Sequence, residues 1–496
     1  MFKKSQKYIP EKPDFKSFKK ELESLNPIEF SESLIERISV SGDLSGIPFY
    51  HWRWKEDYIA RIVIWPKSAD QIKIIVNLAI QYNVPITIRG GGTGYYGSSV
   101  PSMGDVVLDL KTLNKFELNK NRNTLTAQAG VNLGKLVEYL DEENLEIPSI
   151  SSSALSATIG GWLNTKGSIG IGTLKHNSFS KHILELKVIS PSEGLKHLKS
   201  PEEFNVFIGT YGLFAIIIEV TFKLSKKRQK ISLLYGFKEF TNLVDFIEKF
   251  KEKEEIYYLS FFDRNYFQKL YDTANFEYYC LLVIENERLR EDIQKIISSS
   301  NQKYDIVSIE DDISNEMWQN ILKDEMRLKK DIPVLMLQSF LIKIKYTAII
   351  LTRFRELSKQ RNLNEGFIGV LGNKNEVRLV LFTFTNNDFI VHFLSSKGIL
   401  HRIVKFAYQN NLGELYDYGL YNSIYLDKFE PKKKEKLITQ KKQYDPQYIL
   451  NPNKLINSFT SYRRINSIFE LNLFWRKMAV KLGMEKIFPI FENKVE

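Results

Sequence analysis

Two glycine-rich stretches about 70 residues apart constrain this chain more than any other feature. The first, residues 89–101, reads R-G-G-G-T-G-Y-Y-G-S-S-V-P; the second, residues 157–174, reads A-T-I-G-G-W-L-N-T-K-G-S-I-G-I-G-T-L. Glycine at this density, outside low-complexity sequence, lets backbone approach another group closely. The bare N–H groups of such a loop can form a nest for an anion, most often a phosphate or pyrophosphate. Two such loops, each beside an apolar strand, point to a large phosphate-bearing cofactor held from two sides. Tight packing turns are the alternative.

Residues 92–97 are a literal G-x-G-x-x-G, but the dinucleotide fingerprint needs its third glycine to open a helix. Here residues 98–104, S-S-V-P-S-M-G, read as loop. A P-loop is excluded because Ser98 and Ser99 follow Gly97 with no lysine. What remains is a strand over 84–89, a glycine loop, and a strand over 105–110.

These residues fall into an ordered series that resembles the FAD-binding domain of the p-cresol methylhydroxylase/vanillyl-alcohol oxidase flavoproteins, most closely the glycolate oxidase subunit and D-lactate dehydrogenase (FAD-linked oxidase) branch. Residues 66–72, P-K-S-A-D-Q-I, resemble the motif before the family's first helix. Residues 88–94, I-R-G-G-G-T-G, resemble its pyrophosphate loop, and residues 157–161, A-T-I-G-G, its second FAD segment. Residues 204–224 resemble the strand and turn beside the adenine, and Y-D-P at 444–446 with I-L-N-P-N-K at 449–454 resembles the C-terminal motif. The resemblance covers roughly residues 40–456 and implies an FAD flavoprotein. The implied fold is α+β: a two-subdomain FAD-binding domain plus an antiparallel-sheet substrate (cap) domain with helices on one face.

Length and composition fit. A chain of 496 residues exceeds a single core, 43% hydrophobic residues suffice to bury one, and 26% charged residues is ordinary for a soluble protein. The N-terminus, M-F-K-K-S-Q-K, lacks the apolar stretch of a secretion signal, and no apolar run approaches the ~20 residues of a spanning helix. A cytoplasmic location is expected. The single cysteine, Cys280, rules out disulfides, iron–sulfur clusters and thiolate zinc sites within the chain. A net charge of +11 is compatible with an anionic lipid surface or an acidic partner, or with solubility alone. No nucleic-acid partner is expected.

The chain divides into an N-terminal helical segment (1–60), the FAD-binding domain (61–224), the substrate domain (225–425), a return to the first domain (426–458) and a basic amphipathic tail (459–496). Helices are expected over 69–82, 133–142, 246–253, 289–298, 346–360 and 398–410. Strands are expected over 257–262, 278–284, 335–342, 367–371 and 377–384. In the tail, Ile465, Ile468, Phe469, Leu471, Phe474, Met478 and Leu482 form a helical stripe bordered by arginines and lysines. This stripe can pack on the chain's own core, meet an electron-accepting subunit, or lie on the inner membrane face through residues 461–486.

On this resemblance the first loop is expected to supply cofactor contacts at Arg89, Gly90, Gly91, Gly92, Thr93, Gly94, Tyr95, Ser98 and Ser99. The second supplies Thr158, Ile159, Gly160, Gly161, Gly167, Ser168, Gly170 and Gly172, with Gly212 and Ile217 on the adenine side. The attachment is expected to be noncovalent. The first loop has glycines and Thr93 where histidyl-linked relatives carry histidine, and His176 is the one tether candidate. The resemblance also implies an H-x-G-D-G-N-x-H-like stretch whose histidines bind a divalent metal. Residues 368–376, I-G-V-L-G-N-K-N-E, take its place without a histidine. The six histidines form no i, i+4 pair and have no carboxylate nearby in sequence, so no metal site is expected.

Without a metal, an anionic substrate needs an arginine or lysine. Arg327 and Lys330, in M-R-L-K-K, resemble the family's basic segment. Tyr418 and Asn422, in Y-D-Y-G-L-Y-N, fall where the C-terminal return passes the flavin, and a tyrosine there can orient or deprotonate a hydroxyl. A solvated helix face and an aromatic packing residue are the respective alternatives. The expected activity is oxidation of a hydroxyl-bearing carbon, on a small molecule such as a 2-hydroxy acid, with electrons passing to a separate iron–sulfur or quinone-linked carrier. A non-redox FAD enzyme of the alkyl-glycerone-phosphate synthase type, an aldonolactone or sugar oxidase, and a non-catalytic FAD-binding subunit remain open.

Overall fold

Short branched-aliphatic runs, buried on both faces, build a small parallel sheet near the N-terminus. In a computed structural model, which describes residues 12–25, 27–45, 58–165, 169–271, 274–304, 306–332, 334–373, 375–384, 390–456 and 462–481, strands Ile62–Trp65 and Ile86–Arg89 flank Val106–Asp109 in parallel. The N-terminal segment adds helices Phe15–Ser24 and Leu34–Val40 and an antiparallel edge strand, Glu29–Ser31. Helix Ala69–Gln81 opens where the Ser68 hydroxyl accepts the Gln71 N–H, and buries Ile72, Ile75, Val76 and Ala79. A second, antiparallel sheet of five strands runs Phe116–Asn119, Thr124–Gln128, Ile216–Lys223, Ile183–Ser190 and Gly194–Leu198 in spatial order.

Residues 231–415 contribute an eight-stranded antiparallel sheet. Helices Phe240–Phe250 and Thr347–Lys359 cover one face of it. The Phe240 ring packs 5.2 Å from Tyr278 and 6.2 Å from Phe367, and the Arg355 guanidinium lies 5.1 Å over Tyr278. The register puts Ser260 opposite Val370, Phe262 opposite Ile368, Ile368 opposite Val380 and Val370 opposite Arg378. By the period-2 rule these side chains share the other face. That face, flanked by helices Asp311–Asn320 and Asp324–Asp331, turns toward the glycine loops. The strands expected over 257–262 and 278–284 are found as Ile256–Asp263 and Tyr278–Ile284. Strand Ile231–Phe237, which follows directly on the basic run 223–230, lies outside the expected strands.

The chain then returns to the first sheet. The Ile86 N–H donates to the Ile449 carbonyl (2.8 Å) and the Asn451 N–H to the Ile86 carbonyl (2.7 Å). A buried ion pair ties this return. Lys441 Nζ lies 2.5 Å from Asp445 Oδ2 and also donates to the carbonyls of Leu213 and Leu450, while the Asp445 carboxylate accepts the N–H groups of Ile449 and Leu450. Burial pushes the Lys441 ammonium below its ordinary pKa, so Asp445 and two carbonyls must compensate.

The final helix, Tyr462–Lys481, packs one face on helix Ile390–Gln409. Leu473 sits over Gly398, where a Cβ would lie 2.9 Å from the leucine, and Asn466 meets His401 Nε2 at 3.1 Å. Ile468, Leu471, Phe474 and Trp475 remain exposed on this helix. Leu482 and residues 482–486 of the stripe lie outside the described residues. No described helix is long and apolar enough to cross a membrane.

The ion pair should weigh heavily on stability. Lys441→Met, which leaves Asp445 buried and unpaired, is expected to cost about 3–5 kcal/mol, and Lys441→Met/Asp445→Asn less than the sum of the two single changes. Urea midpoints of the four proteins read both quantities; additive costs would show that the pair is not coupled.

Candidate functional site

The two glycine loops touch, and only glycine permits it. A Cβ on Gly91 would lie 2.0 Å from the Ser156 carbonyl oxygen, and one on Gly90 would lie 2.2 Å from Thr158 Oγ1. Gly92 adopts φ +67°, the left-handed region. Among the described residues, no backbone N–H from residues 90–94 donates to a protein acceptor. A run of uncommitted donors at the rim of a cavity is a fitting nest for a pyrophosphate.

Beneath the loop, the Arg89 guanidinium donates to the Gly42 carbonyl (2.5 Å) and to Ser99 Oγ (3.3 Å), and a Cβ on Gly92 would meet it at 2.4 Å. Arg89 thus braces the loop from behind instead of standing on the cavity wall. Lys454 holds the far end by donating to the Val100 carbonyl, and burial brings its pKa down to about 8. Residues 96–97 are clasped by the C-terminal return: the N–H groups of Leu420 and Tyr421 both donate to the Tyr96 carbonyl.

One cavity joins this nest to the eight-stranded sheet. Gly90, Gly91, Gly92, Thr93, Gly94, Tyr95, Ser98 and Ser99 line it, as do Thr158, Gly160, Gly161 and Ile217 from the second segment. Ile159 is buried in the core. Gly170 and Gly172 lie behind the wall; a Cβ on either would strike the carbonyl of Ile150 or Pro148, so they seat the segment that carries Ser151, Ser152 and Ser153 to the cavity. Gly212 leaves room for Asn451, which does reach the wall. Gly167 and Ser168 lie outside the described residues.

The residues expected to do chemistry lie elsewhere. The Tyr418 hydroxyl bonds to the Glu430 carboxylate and lies 3.1 Å from Lys433 Nζ, away from the wall. Burial, then Tyr408 and Glu430, raise its pKa, the opposite of what a base needs. Asn422 is spent on the Asp417 carbonyl (2.8 Å). Arg327 donates to the Leu270 carbonyl (2.5 Å) and lies 3.3 Å from Asp324, and Lys330 is exposed at the end of its helix. None of these four lines the cavity.

Residues close to them in sequence do. Tyr416 and Asp417 line the cavity with Arg378, the one cation on its wall among the described residues. The Arg378 guanidinium lies 4.9 Å over the Tyr416 ring and 3.5 Å from Asp417 Oδ2; the same oxygen accepts the Ser339 hydroxyl at 2.7 Å. The Tyr96 hydroxyl completes the chain, 3.0 Å from Ser339 Oγ and accepting the Ser339 N–H at 2.9 Å. Burial, then Asp417, push the Tyr96 pKa up, which keeps that hydroxyl neutral. The network joins the glycine loop to the eight-stranded sheet at the cavity. Charge alternation does not mark Arg378 in the sequence, since it interrupts an apolar strand; that interruption, V-R-L-V, was the available signal.

His176 does not line the cavity. It meets Glu146 and Glu285, all three ligand atoms within 4.8 Å, so folding supplies the carboxylates that its sequence neighbourhood lacks. The two carboxylates already hold cations, however. Lys230 Nζ lies 3.0 Å from Glu146 and 2.8 Å from Glu285, and Lys175 pairs with Glu285. This is an ion cluster between residues 146–176 and the eight-stranded sheet.

Comparison with known proteins agrees with the nest. Residues 60–199 match the family described as FAD binding domain. The chain is 25% identical over 247 residues to D-2-hydroxyglutarate dehydrogenase of Stutzerimonas stutzeri (strain A1501), covering 47% of this chain and 53% of that protein. It is 28% identical over 186 residues to glycolate oxidase subunit GlcD of Bacillus subtilis (strain 168), covering 36% and 39%. The chain thus spans about half the length, or less, of these curated relatives. Among solved structures, 4-ethylphenol oxidase from Gulosibacter chungangensis superimposes with TM-score 0.74 at 14% identity, over 92% of this chain and 100% of that one. p-Cresol methylhydroxylase does so with TM-score 0.70 at 12% identity, over 86% and 93%. The match over residues 60–199 gives FAD as the cofactor, and the superpositions show a shared fold.

The close loop contact yields a direct expectation. Gly91→Ala should abolish FAD retention, because the Ser156 backbone cannot yield 1 Å or more without moving the nest. Gly194→Asn, at a left-handed turn glycine with nothing within 4 Å, should retain it. The ratio of flavin to protein absorbance in the two purified variants decides; full flavin content in Gly91→Ala would refute the contact.

Proposed function

We propose that this chain is an FAD-dependent dehydrogenase that oxidises the hydroxyl-bearing carbon of a 2-hydroxy acid, using noncovalent FAD. The observation that carries this reading is the continuity of the cavity from the bare amides of residues 90–94 to Arg378 and Asp417. No histidine or cysteine lines it among the described residues, which supports a cofactor held without a tether. The names of the curated relatives, a D-2-hydroxyglutarate dehydrogenase and a glycolate oxidase subunit, support the reaction class.

FAD held there supplies, when bound, an acceptor for two electrons. The chain's own residues bind, orient and move a proton. The planar fork of Arg378 receives the substrate carboxylate in the role a metal would otherwise fill. Tyr416 beneath it and Asp417 beside it fix its plane. Asp417 takes the proton of the substrate hydroxyl at Oδ1, since Oδ2 is committed to Ser339 and Arg378. Ser339 and the neutral Tyr96 keep that carboxylate in place.

Electrons leave to a separate carrier, because the single cysteine, Cys280, is buried and cannot hold a cluster. The exposed apolar face of helix Tyr462–Lys481, bordered by Arg463, Arg464 and Lys477, supports a peripheral contact with an anionic membrane, read by co-sedimentation with anionic against neutral vesicles.

Anaerobic reduction of the flavin across a panel of D-2-hydroxy acids and sugar lactones tests the reaction. Arg378→Met should lower the second-order rate by about 30-fold to several-thousandfold, chiefly through the substrate concentration required, with partial recovery in Arg378→Lys. Asp417→Asn should lower the limiting rate by about a hundred- to ten-thousandfold with binding retained. Chelators should leave the wild-type rate unchanged. A protein full of FAD that no hydroxy acid or lactone reduces would contradict the proposal.

A further inference from the structure

The wall of the cavity beyond Arg378 does not suit a small hydroxy acid. It is one face of the eight-stranded sheet, where Phe262, Ile368, Val380, Leu337 and Phe382 stand on adjacent strands. Met317 and Leu328 approach from the two flanking helices. From Arg378 to Phe382 the floor runs about 13 Å along its strand, at ~3.3 Å per residue. Apart from Tyr258, Ser260, Tyr266 and Asp324, what the substrate domain's strands and helices place there besides Arg378 is aliphatic or phenylalanine. The sheet's opposite face is covered by helices; this face borders a cavity instead.

We infer that the substrate carries an apolar body, an alkyl or aryl side chain, behind the hydroxyl-bearing head that Arg378 holds. The inference rests on the assignment of the head to Arg378 and adds what lies behind it. Glycolate or lactate would fill only the polar row and leave the apolar floor facing water, forfeiting the largest favourable contribution available there. A dicarboxylate such as 2-hydroxyglutarate would bring a second negative charge toward a wall whose remaining ionic group is Asp324, with no cation besides Arg378 among the described residues. A hydrocarbon chain meets neither objection.

The test compares D-2-hydroxybutyrate, D-2-hydroxyhexanoate and D-2-hydroxyoctanoate with D-lactate and D-2-hydroxyglutarate in anaerobic reduction of the holoprotein. The second-order rate should rise about fourfold per added methylene, near two-hundredfold from the butyrate to the octanoate, with hydroxyglutarate among the poorest. Val380→Thr, an isosteric change on the floor, should cut the octanoate-to-butyrate ratio several-fold with FAD content unchanged. Binding of plain octanoate against plain butyrate, read by thermal shift of the holoprotein, follows the same series without turnover. Octanoate stabilising the protein while no hydroxy acid reduces the flavin would sink the oxidation reading and leave the apolar body standing. Equal rates for lactate and hydroxyoctanoate, equal binding of the two plain acids, or hydroxyglutarate as the best substrate would each overturn the inference.

Discussion

The approach of the Gly90–Gly91 backbone to Ser156 and Thr158 is the contact on which the rest of the site depends. At that separation residues 90 and 91 have no room for a side chain, so two segments about 70 residues apart become a single wall. The contact leaves the amides of residues 90–94 facing the cavity with no protein acceptor among the described residues. An uncompensated set of donors is costly when a site is empty and favourable when an anion fills it. Arg89 below, Lys454 at the far end and the return at 419–421 act on this one arrangement, each by holding the loop from a different side.

The same part of the chain builds the other end of the cavity. The Lys441–Asp445 pair and Asn451 hold residues 445–451 against strand Ile86–Arg89, and the segment before them places Tyr416 and Asp417 beside Arg378. Tyr96 reaches across from the glycine loop to Ser339 on the eight-stranded sheet. One short chain of hydrogen bonds therefore joins the eight-stranded sheet to the glycine loop. Left-handed backbone at Tyr211 and Asn451, both on the wall, is compatible with a site held by its surroundings and not by local preference.

What was legible in the sequence was local. The glycine runs marked the nest because backbone freedom is written in residue type, and apolar periodicity marked helix Ala69–Gln81 and strand Tyr278–Ile284. Tyr418 and Asn422, expected near the flavin, lie two and five residues past Tyr416 and Asp417, which line the cavity. Which tyrosine of Y-D-Y faces the cavity is decided by a Glu430 carboxylate 12 residues on and by Arg378 on another strand. The same holds for Arg327, which is drawn to the Leu270 carbonyl, and for His176, whose carboxylate partners arrive from 146 and 285. Side-chain direction at these places is a property of long-range pairing, which a single sequence does not display.

The fold alone leaves chemistry open, since the 4-ethylphenol oxidase and alkyldihydroxyacetonephosphate synthase structures share it at 14% and 17% identity. On the proposed reading, the nest of residues 90–94 and the wall at 151–161 hold FAD in a cavity without a covalent tether. Acid precipitation of the purified protein tests it most directly. Intact, stoichiometric FAD in the supernatant, identified by its mass, is the predicted result. Flavin retained in the pellet, or protein that carries none, would contradict it.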